Sequence, residues 1–493
     1  MNKVLYILLL LMASTVQLNA QQKPNIIYIY ADDLGYGEIE PYGQKKIKTP
    51  HLTELANNGM LFTQHYASAP VCAPARAMLL TGKHGGNSYI RGNYELGGFA
   101  DSLEGGQMPL PEGILTLPKL LKQNGYRTVM AGKWGLGMHN TTGSPAKQGF
   151  DYYLAILDQK QAHNFYPTHL WENDQYFPLD NPYVYVHKGL NPQTATEEDF
   201  NAYVGNQYAT DIMTEKALQF VADSKEQPFF LYLPYTQPHV SLQAPQEYID
   251  MYEGAFDEKP YYGEQGYAPS LKPYATYAAM ITYLDAQVGK VVAQLKKLGI
   301  ADNTIVMFSS DNGTTFNGGV DPVFFNSVAG LRGLKTDVYE GGTRVPFIVS
   351  WPAKIPKGTV SDLPSVQYDM MATVGDLIGV QIESTDGISL LPTFLGHESL
   401  QKKRDYIYWE YPEKGGQIAI RKGSWKAVKV DLIKNGFKNA KWQLYNLDND
   451  PAEKNDLAHK YTSVLQEFDA IVEKEHSPAH IKEWEIIEPK YAR

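Results

Sequence analysis

The 493-residue chain predicts an α/β fold: a large mixed, mostly parallel sheet flanked by helices, with a smaller C-terminal antiparallel α+β subdomain. Three observations predict it. Short apolar runs alternate with helical patterns from Asn25 to Ile378, as in sheets buried on both faces. Acidic or amide pairs stand just past two of those runs, where open sheets place their sites. Near Gly396 the rhythm changes to closely spaced strand-like runs joined by short turns.

The elements follow in order. The first strand, Asn25 to Tyr30, ends at Asp32-Asp33. Thr49 as N-cap, Pro50 at the first helical position and Gly59 as stop bound a short helix. Cys72 stands just ahead of Pro74, which suits the first turn of a helix running through Leu80. Leu115 to Asn124 reads as a helix, Gly125 ends it, and Tyr126 to Ala131 is the next strand. Asp151 to Tyr208 is polar and aromatic with little periodicity, and reads as a long irregular insertion suited to substrate contacts. Asp211 to Ser224 is a helix leading into the strand Phe229 to Leu233. The long amphipathic helix Tyr274 to Leu298 leads into the strand Thr304 to Phe308. The strand Pro346 to Ser350 and the helix Tyr368 to Ile378 follow. The C-terminal runs are Tyr406 to Tyr411, Gln417 to Arg421, Trp425 to Val430 and Trp442 to Asn446, then a helix at Ser463 to Glu475. The join carries no flexible linker, so this subdomain is expected to pack on the main domain. The expected organisation is a signal peptide at 1–20, a catalytic domain at 21–396 and a C-terminal subdomain at 397–493.

Lys3, the apolar run Val4 to Met12 and the small residue Ala20 read as a secretory signal cleaved near Ala20. The expected location is periplasmic or secreted. No later run is apolar for long enough to insert in a membrane. The net charge of -10 argues against a nucleic-acid binder, which would show a basic stripe. It leaves room for an anionic substrate in a cleft of locally reversed field. Exported chains use cysteines in pairs, yet Cys72 is the only one. A lone cysteine is ordinarily a small buried hydrophobe. Here a helix N-terminus, which lowers a thiol pKa and suits an anion, and Arg76 one turn on favour a reactive group.

Asp32-Asp33 and Asp311-Asn312 follow two of the strands. Converging carboxylates repel unless a cation sits between them. Their donors are all oxygen, which selects a hard cation, Ca²⁺ or Mg²⁺. Each pair alone is an ordinary turn feature; two at matched positions point to a metal site.

With these residues in view, the chain resembles the type I, formylglycine-dependent sulfatase family of the alkaline phosphatase superfamily. The resemblance rests on Asn25 to Gly37, Cys72 to Gly82, Gly132-Lys133-Trp134, Thr236 to His239, Ser310 to Gly313, Arg332 to Pro346, and Gln443 to Leu447 with Asp450-Pro451. It implies an alkaline phosphatase-like fold and hydrolysis of O-sulfate esters, with a sulfated carbohydrate as the expected substrate. It implies that a formylglycine-generating or sulfatase-maturing enzyme oxidises Cys72 to formylglycine, whose hydrate attacks sulfur and then expels sulfate. By position, Asp32, Asp33, Asp311, Asn312 and modified Cys72 are implied to hold Ca²⁺. Arg76 steadies the diol, Lys133 and Lys335 bind sulfate oxygens, and His239 is the general acid, a role suited to an imidazole titrating near neutrality. Family members usually have Ser where Ala75 stands. The family block Gly-Lys-Trp-His-Leu-Gly reads Gly132-Lys133-Trp134-Gly135-Leu136-Gly137 here, and His139 is a candidate stand-in for the missing histidine. His163, Arg332 and Gln237 are candidate substrate contacts. Rival readings are an arylsulfatase, a phosphonate monoester hydrolase or phosphodiesterase, and a sulfated-glycan binding protein without turnover.

Overall fold

The computed structural model describes residues 23–487; the expected signal peptide lies outside them. Its strands are β1 (Asn25–Ala31), β2 (Met60–Phe62), β3 (His65–Tyr66), β4 (Arg127–Lys133), β5 (Tyr152–Ile156), β6 (His169–Glu172), β7 (Gln175–Pro178), β8 (Phe229–Pro234), β9 (Thr304–Ser310), β10 (Phe347–Ser350), β11 (Thr359–Ser361) and β12 (Ser365–Val366). The C-terminal set is β13 (Ile407–Tyr411), β14 (Gln417–Lys422), β15 (Trp425–Lys429) and β16 (Gln443–Asn446).

Ten strands form one sheet in the order β11-β2-β10-β9-β1-β8-β4-β5-β6-β7. The centre, β9-β1-β8-β4-β5, is parallel, whereas β10, β6 and β7 run antiparallel to their neighbours. Strand alternation sends Ile27, Ile29 and Ala31 into one core and Ile26, Tyr28 and Tyr30 into the other. The helices Pro273–Lys297 and Ala209–Ser224 cover the first face through Tyr277, Leu284 and Met213. Residues of Cys72–Thr81, Leu117–Gln123 and Asp369–Leu377 fill the second. With both faces covered, the central strands carry no polar alternation, which is why they read as continuous apolar runs.

Two expectations need correction. The 151–208 insertion is not wholly irregular, because β5, β6 and β7 extend the main sheet at its edge. Thr49 precedes the helix Pro50–Asn57 without a side-chain cap; its hydroxyl instead accepts from Glu40 N–H at 2.8 Å.

The antiparallel sheet β13-β14-β15-β16 has two packed faces. One holds Ile418, Ile420 and Leu444 against Phe468, Ile471 and Val472 of the helix Thr462–Glu475. The other packs Trp409, Ala419, Val428 and Tyr445 against Tyr66, Val71 and Val338, beside Cys72.

Candidate active site

Two strand ends build the floor. β1 and β9 are paired with Ala31 opposite Ser310, so the residues that follow emerge side by side. Asp33 adopts a left-handed conformation, φ 65°, which Asp tolerates better than most side chains. There Asp33 N–H donates to Asp311 Oδ1 at 3.0 Å and Leu34 N–H to Ser310 Oγ at 2.9 Å. Asp32 N–H donates to the Gln237 carbonyl at 3.0 Å, tying in the loop after β8. Asn312 Nδ2 donates to Asp33 Oδ1 at 2.7 Å.

Cys72 is the first residue of the helix Cys72–Thr81. Its Sγ lies 3.3 Å from Asp32 Oδ1. One turn on, Arg76 donates through Nε and Nη2 to Asp311 Oδ2 at 3.2 and 2.8 Å, and through Nη1 to the Lys133 carbonyl at 3.0 Å. Lys133 ends β4 and reaches Asp32 Oδ2 at 2.6 Å. Lys335 Nζ lies 2.7 Å from Asp33 Oδ2 and 3.2 Å from His239 Nε2. His239 Nδ1 donates to the Val240 carbonyl.

All of these side chains are almost fully buried except Lys335, which is 14 % exposed and marks the open side. Burial opposes the charge of Asp32, but Lys133, His239 and Arg76 outweigh it and hold that carboxyl well below its usual range. Burial and then Asp32 push Asp311 up to about 7. Burial and then Asp32 also push the Cys72 thiol up, the reverse of what a helix N-terminus alone predicts. Burial, then Lys335, lower His239 to about 4, away from the near-neutral value of an ordinary imidazole. Its neutral ring carries its proton on Nδ1, because the Val240 carbonyl can only accept.

These residues fit a hard cation. Ligand atoms of Asp32, Asp33, Cys72 and His239 lie within 4.8 Å of one another. Asn312 Oδ1 is buried with no partner, a cost of about 1–3 kcal/mol unless something positive faces it. The carboxylates and the unused amide oxygen are donors that suit Ca²⁺ or Mg²⁺, whereas the Cys72 sulfur and the His239 nitrogen are not.

A model of the sulfatase domain matches residues 24–380. The chain belongs to the sulfatase family. As a sulfatase it is a sulfuric ester hydrolase, and residues 334–477 match the C-terminal model of N-sulphoglucosamine sulphohydrolase. The sulfatase is 31% identical to an N-acetylgalactosamine-6-O-sulfatase of Bacteroides thetaiotaomicron, over 92% of this chain and 93% of the relative. It is 30% identical to an uncharacterized sulfatase of Schizosaccharomyces pombe, over 91% and 92%. Its fold matches the crystal structure of Ps i-CgsB in complex with k-i-k-neocarrahexaose at a TM-score of 0.73 and 30% identity, covering 92% of each chain.

The sulfatase places the remaining candidates unequally. Gln237 is locked beneath the site, its amide nitrogen donating to Tyr208 Oη and Thr210 Oγ1 at 3.1 and 2.8 Å; its carbonyl, not its side chain, serves the site. Arg332 is turned to the C-terminal subdomain, donating to Tyr445 Oη at 2.8 Å and the Glu453 carbonyl at 3.0 Å, with its guanidinium 3.9 Å from the Tyr339 ring centroid. His139 stacks on Trp171 at 3.9 Å and hydrogen-bonds to none of the site residues. His163 does reach the site, stacking on His239 at 4.9 Å and 11°.

Gln159 was not visible from sequence. Gly135 has φ +80°, and a Cβ there would fall 2.2 Å from Gln159 Nε2 and 2.6 Å from its Cγ. The glutamine therefore fills the space a side chain at 135 would need. Its Nε2 is buried without a partner.

Proposed function

We propose that this sulfatase releases inorganic sulfate from sulfated sugars, with N-acetylgalactosamine 6-sulfate the first substrate to test. One observation carries the reading: the sole thiol meets two carboxylates that could hold a cation, two ammonium groups and an imidazole in one almost fully buried cluster. A carbohydrate is supported by the N-acetylgalactosamine-6-O-sulfatase relative and by the neocarrahexaose complex of the structural neighbour.

Asp32, Asp33, Asp311, Asn312 and the group made from Cys72 would hold calcium. Together, that ion and a formylglycine made by a maturing enzyme supply a nucleophile and charge neutralisation at sulfur. The chain's other residues perform the rest. Lys133 and Lys335 present ammonium groups to sulfate oxygens as charge shifts toward the leaving group. Arg76 holds Asp311 and the end of β4 together, fixing Lys133. His239 is oriented by its Nδ1 bond to Val240, which leaves Nε2 as the atom that would carry a proton to the leaving oxygen; in the neutral ring that nitrogen is bare and becomes a donor only once it is protonated. Lys335 Nζ donates to that bare nitrogen at 3.2 Å, holding the ring in place. The surrounding burial excludes water and strengthens each of these interactions.

Export by the 1–20 segment to the periplasm or medium belongs to the same proposal, as does division into a catalytic region at 21–396 and a subdomain at 397–493. The test is intact-mass analysis of the Cys72 peptide from a maturation-competent host, alongside a sulfate-release screen of defined monosulfated saccharides. The aldehyde lowers the peptide mass by about 18 Da. An unchanged thiol with no sulfate released refutes the proposal, and faster turnover of an aryl phosphate than of the matched aryl sulfate replaces it with a phosphoesterase.

A further inference from the structure

Beside His239, on the open side of the site, stand a second and a third imidazole. His187 Nδ1 lies 2.7 Å from the Gly266 carbonyl. A carbonyl only accepts, so His187 carries its proton on Nδ1. His163 Nδ1 lies 3.3 Å from His187 Nε2. Among the described residues no carboxylate oxygen lies within 4.0 Å of a ring nitrogen of His163 or His187, so neither has an ion-pair partner there to hold a second proton. With both rings neutral the direction of the chain is fixed: His163 Nδ1–H donates to His187 Nε2, which leaves His163 Nε2 as a bare lone pair. That nitrogen has no hydrogen-bond partner among the described residues, and the ring is half-buried. Around it Phe99 lies 4.2 Å from the His187 ring and is 43 % exposed, and Tyr267 lies edge-on to His163 at 5.2 Å. Ser241 N–H donates to the His163 carbonyl at 3.2 Å, so the His163 segment is tied to the one carrying His239.

We propose that His163 reads the leaving group: its Nε2, kept as an acceptor by His187, takes a hydrogen bond from an uncharged sugar hydroxyl beside the sulfate, and disfavours a second anion there. The inference rests on the sulfatase reading and specifies its substrate. Phe99 and Tyr267 offer the apolar faces on which a sugar ring packs. A lone pair attracts an O–H and repels a sulfate or carboxylate oxygen, so the site favours a singly sulfated ring. His163 touches substrate, whereas His187 is a positioning residue that acts only by fixing the His163 tautomer.

The test measures sulfate release from N-acetylgalactosamine 6-sulfate, its 3-deoxy and 4-deoxy analogues, and its 4,6-disulfate. In the native enzyme one deoxy analogue loses about five- to tenfold in kcat/KM, and the disulfate is slower than the monosulfate. In His163→Ala the deoxy and parent sugars become equivalent. In His187→Lys, which can only donate, His163 must accept at Nδ1 and donate at Nε2, so the penalty on the disulfate shrinks. His187→Gln offers both an amide N–H and an amide oxygen, so it still permits the native tautomer and keeps more of the native preference than the Lys variant. A merely structural role for His187 would make the Lys and Gln variants alike. An unchanged deoxy ratio in His163→Ala overturns the inference; if that variant does not fold, identical behaviour of the two His187 variants overturns it instead. Either result leaves the hydrolase reading standing. No sulfate from any ester in matured protein removes the hydrolase reading and this one with it.

Discussion

Placing a side chain at Gly135 tests whether Gln159 has taken the room of the family histidine. Gly135→Ala carries two separable costs. The left-handed backbone disfavours a Cβ by about 1–2 kcal/mol. The new Cβ also meets Gln159 Nε2 at 2.2 Å, Cγ at 2.6 Å and Cδ at 2.8 Å, and overpacking of this kind costs about 1–3 kcal/mol. The sum is about 2–5 kcal/mol. All three clashing atoms lie beyond the glutamine's own Cβ, so Gln159→Ala removes them together. The single Gln159→Ala change costs little in polar terms, because the Nε2 it deletes is buried without a partner. The double variant should therefore retain only the backbone strain, and the two changes should couple favourably by about 1–3 kcal/mol. Urea unfolding followed by tryptophan fluorescence measures each of the four corners. Losses that add within about 0.5 kcal/mol would refute the steric account. Gly135→His should behave like Gly135→Ala in sign and be larger, and should not raise turnover while Gln159 is present.

Other expectations follow from the same geometry. His239→Ala should cost about 10²–10⁴ in kcat on sugar sulfates, whose leaving alcohols need a proton, and far less on nitrophenyl sulfate; equal losses on both would remove His239 from the acid role. Lys426 is fully buried between Glu340 Oε1 at 2.9 Å and Glu453 Oε1 at 3.3 Å. Lys426→Met should destabilise by about 3–5 kcal/mol in urea titration, since among the described residues it leaves buried Glu453 with no cationic partner and Glu340 with only Arg344 at 3.5 Å; a loss below 1 kcal/mol would contradict the clamp. His476 lies 3.0 Å from Glu410 and 3.1 Å from Glu485. Burial opposes its charge, but those two partners raise its pKa to about 9 from an ordinary 6.5. The raised folded value means its stabilisation is complete below pH 6.5 and is lost as pH rises through 9. Melting temperatures of the native protein and His476→Gln should converge across that window, and parallel curves would exclude the linkage.

The central strands were legible because a sheet covered on both faces leaves an uninterrupted apolar run. The edge was not. β7 is largely exposed and β6 only half apolar, so neither alternates cleanly. The missed signal was the turn Asn173-Asp174, whose residues both take positive φ, 46° and 66°, the geometry of a tight hairpin. At the site, residues announced by their place after a strand or at a helix start were readable: Asp32, Asp33, Cys72, Asp311 and Asn312. Electrostatics were not, because the fields that move the Cys72 and His239 pKa values come from burial and from groups such as Asp32 and Lys335 that only tertiary packing brings beside them. Gln159 and His187 carry no pattern at all. Their roles exist only where tertiary packing sets one against Gly135 and the other against His163.

Arg332 shows what the C-terminal subdomain contributes. Its block resembles the family and makes it a candidate substrate contact, yet the residue binds Tyr445 and the Glu453 carbonyl. The same segment is held repeatedly from that side. Glu340 N–H donates to Glu453 Oε2 at 2.7 Å, Glu340 pairs with Lys426, and Gln417 bonds to Val338 N–H and the Thr336 carbonyl. Lys335 lies between these ties, with its own N–H on the Thr314 carbonyl at 2.9 Å. A long ammonium side chain on a free loop loses about 2 kcal/mol of rotamer entropy when it settles on one oxygen. Anchoring the backbone on both sides lowers the further cost of ordering the loop itself. The four-stranded sheet is therefore part of the catalytic geometry, and the segment that bears Lys335 owes its position to strands that begin seventy residues later.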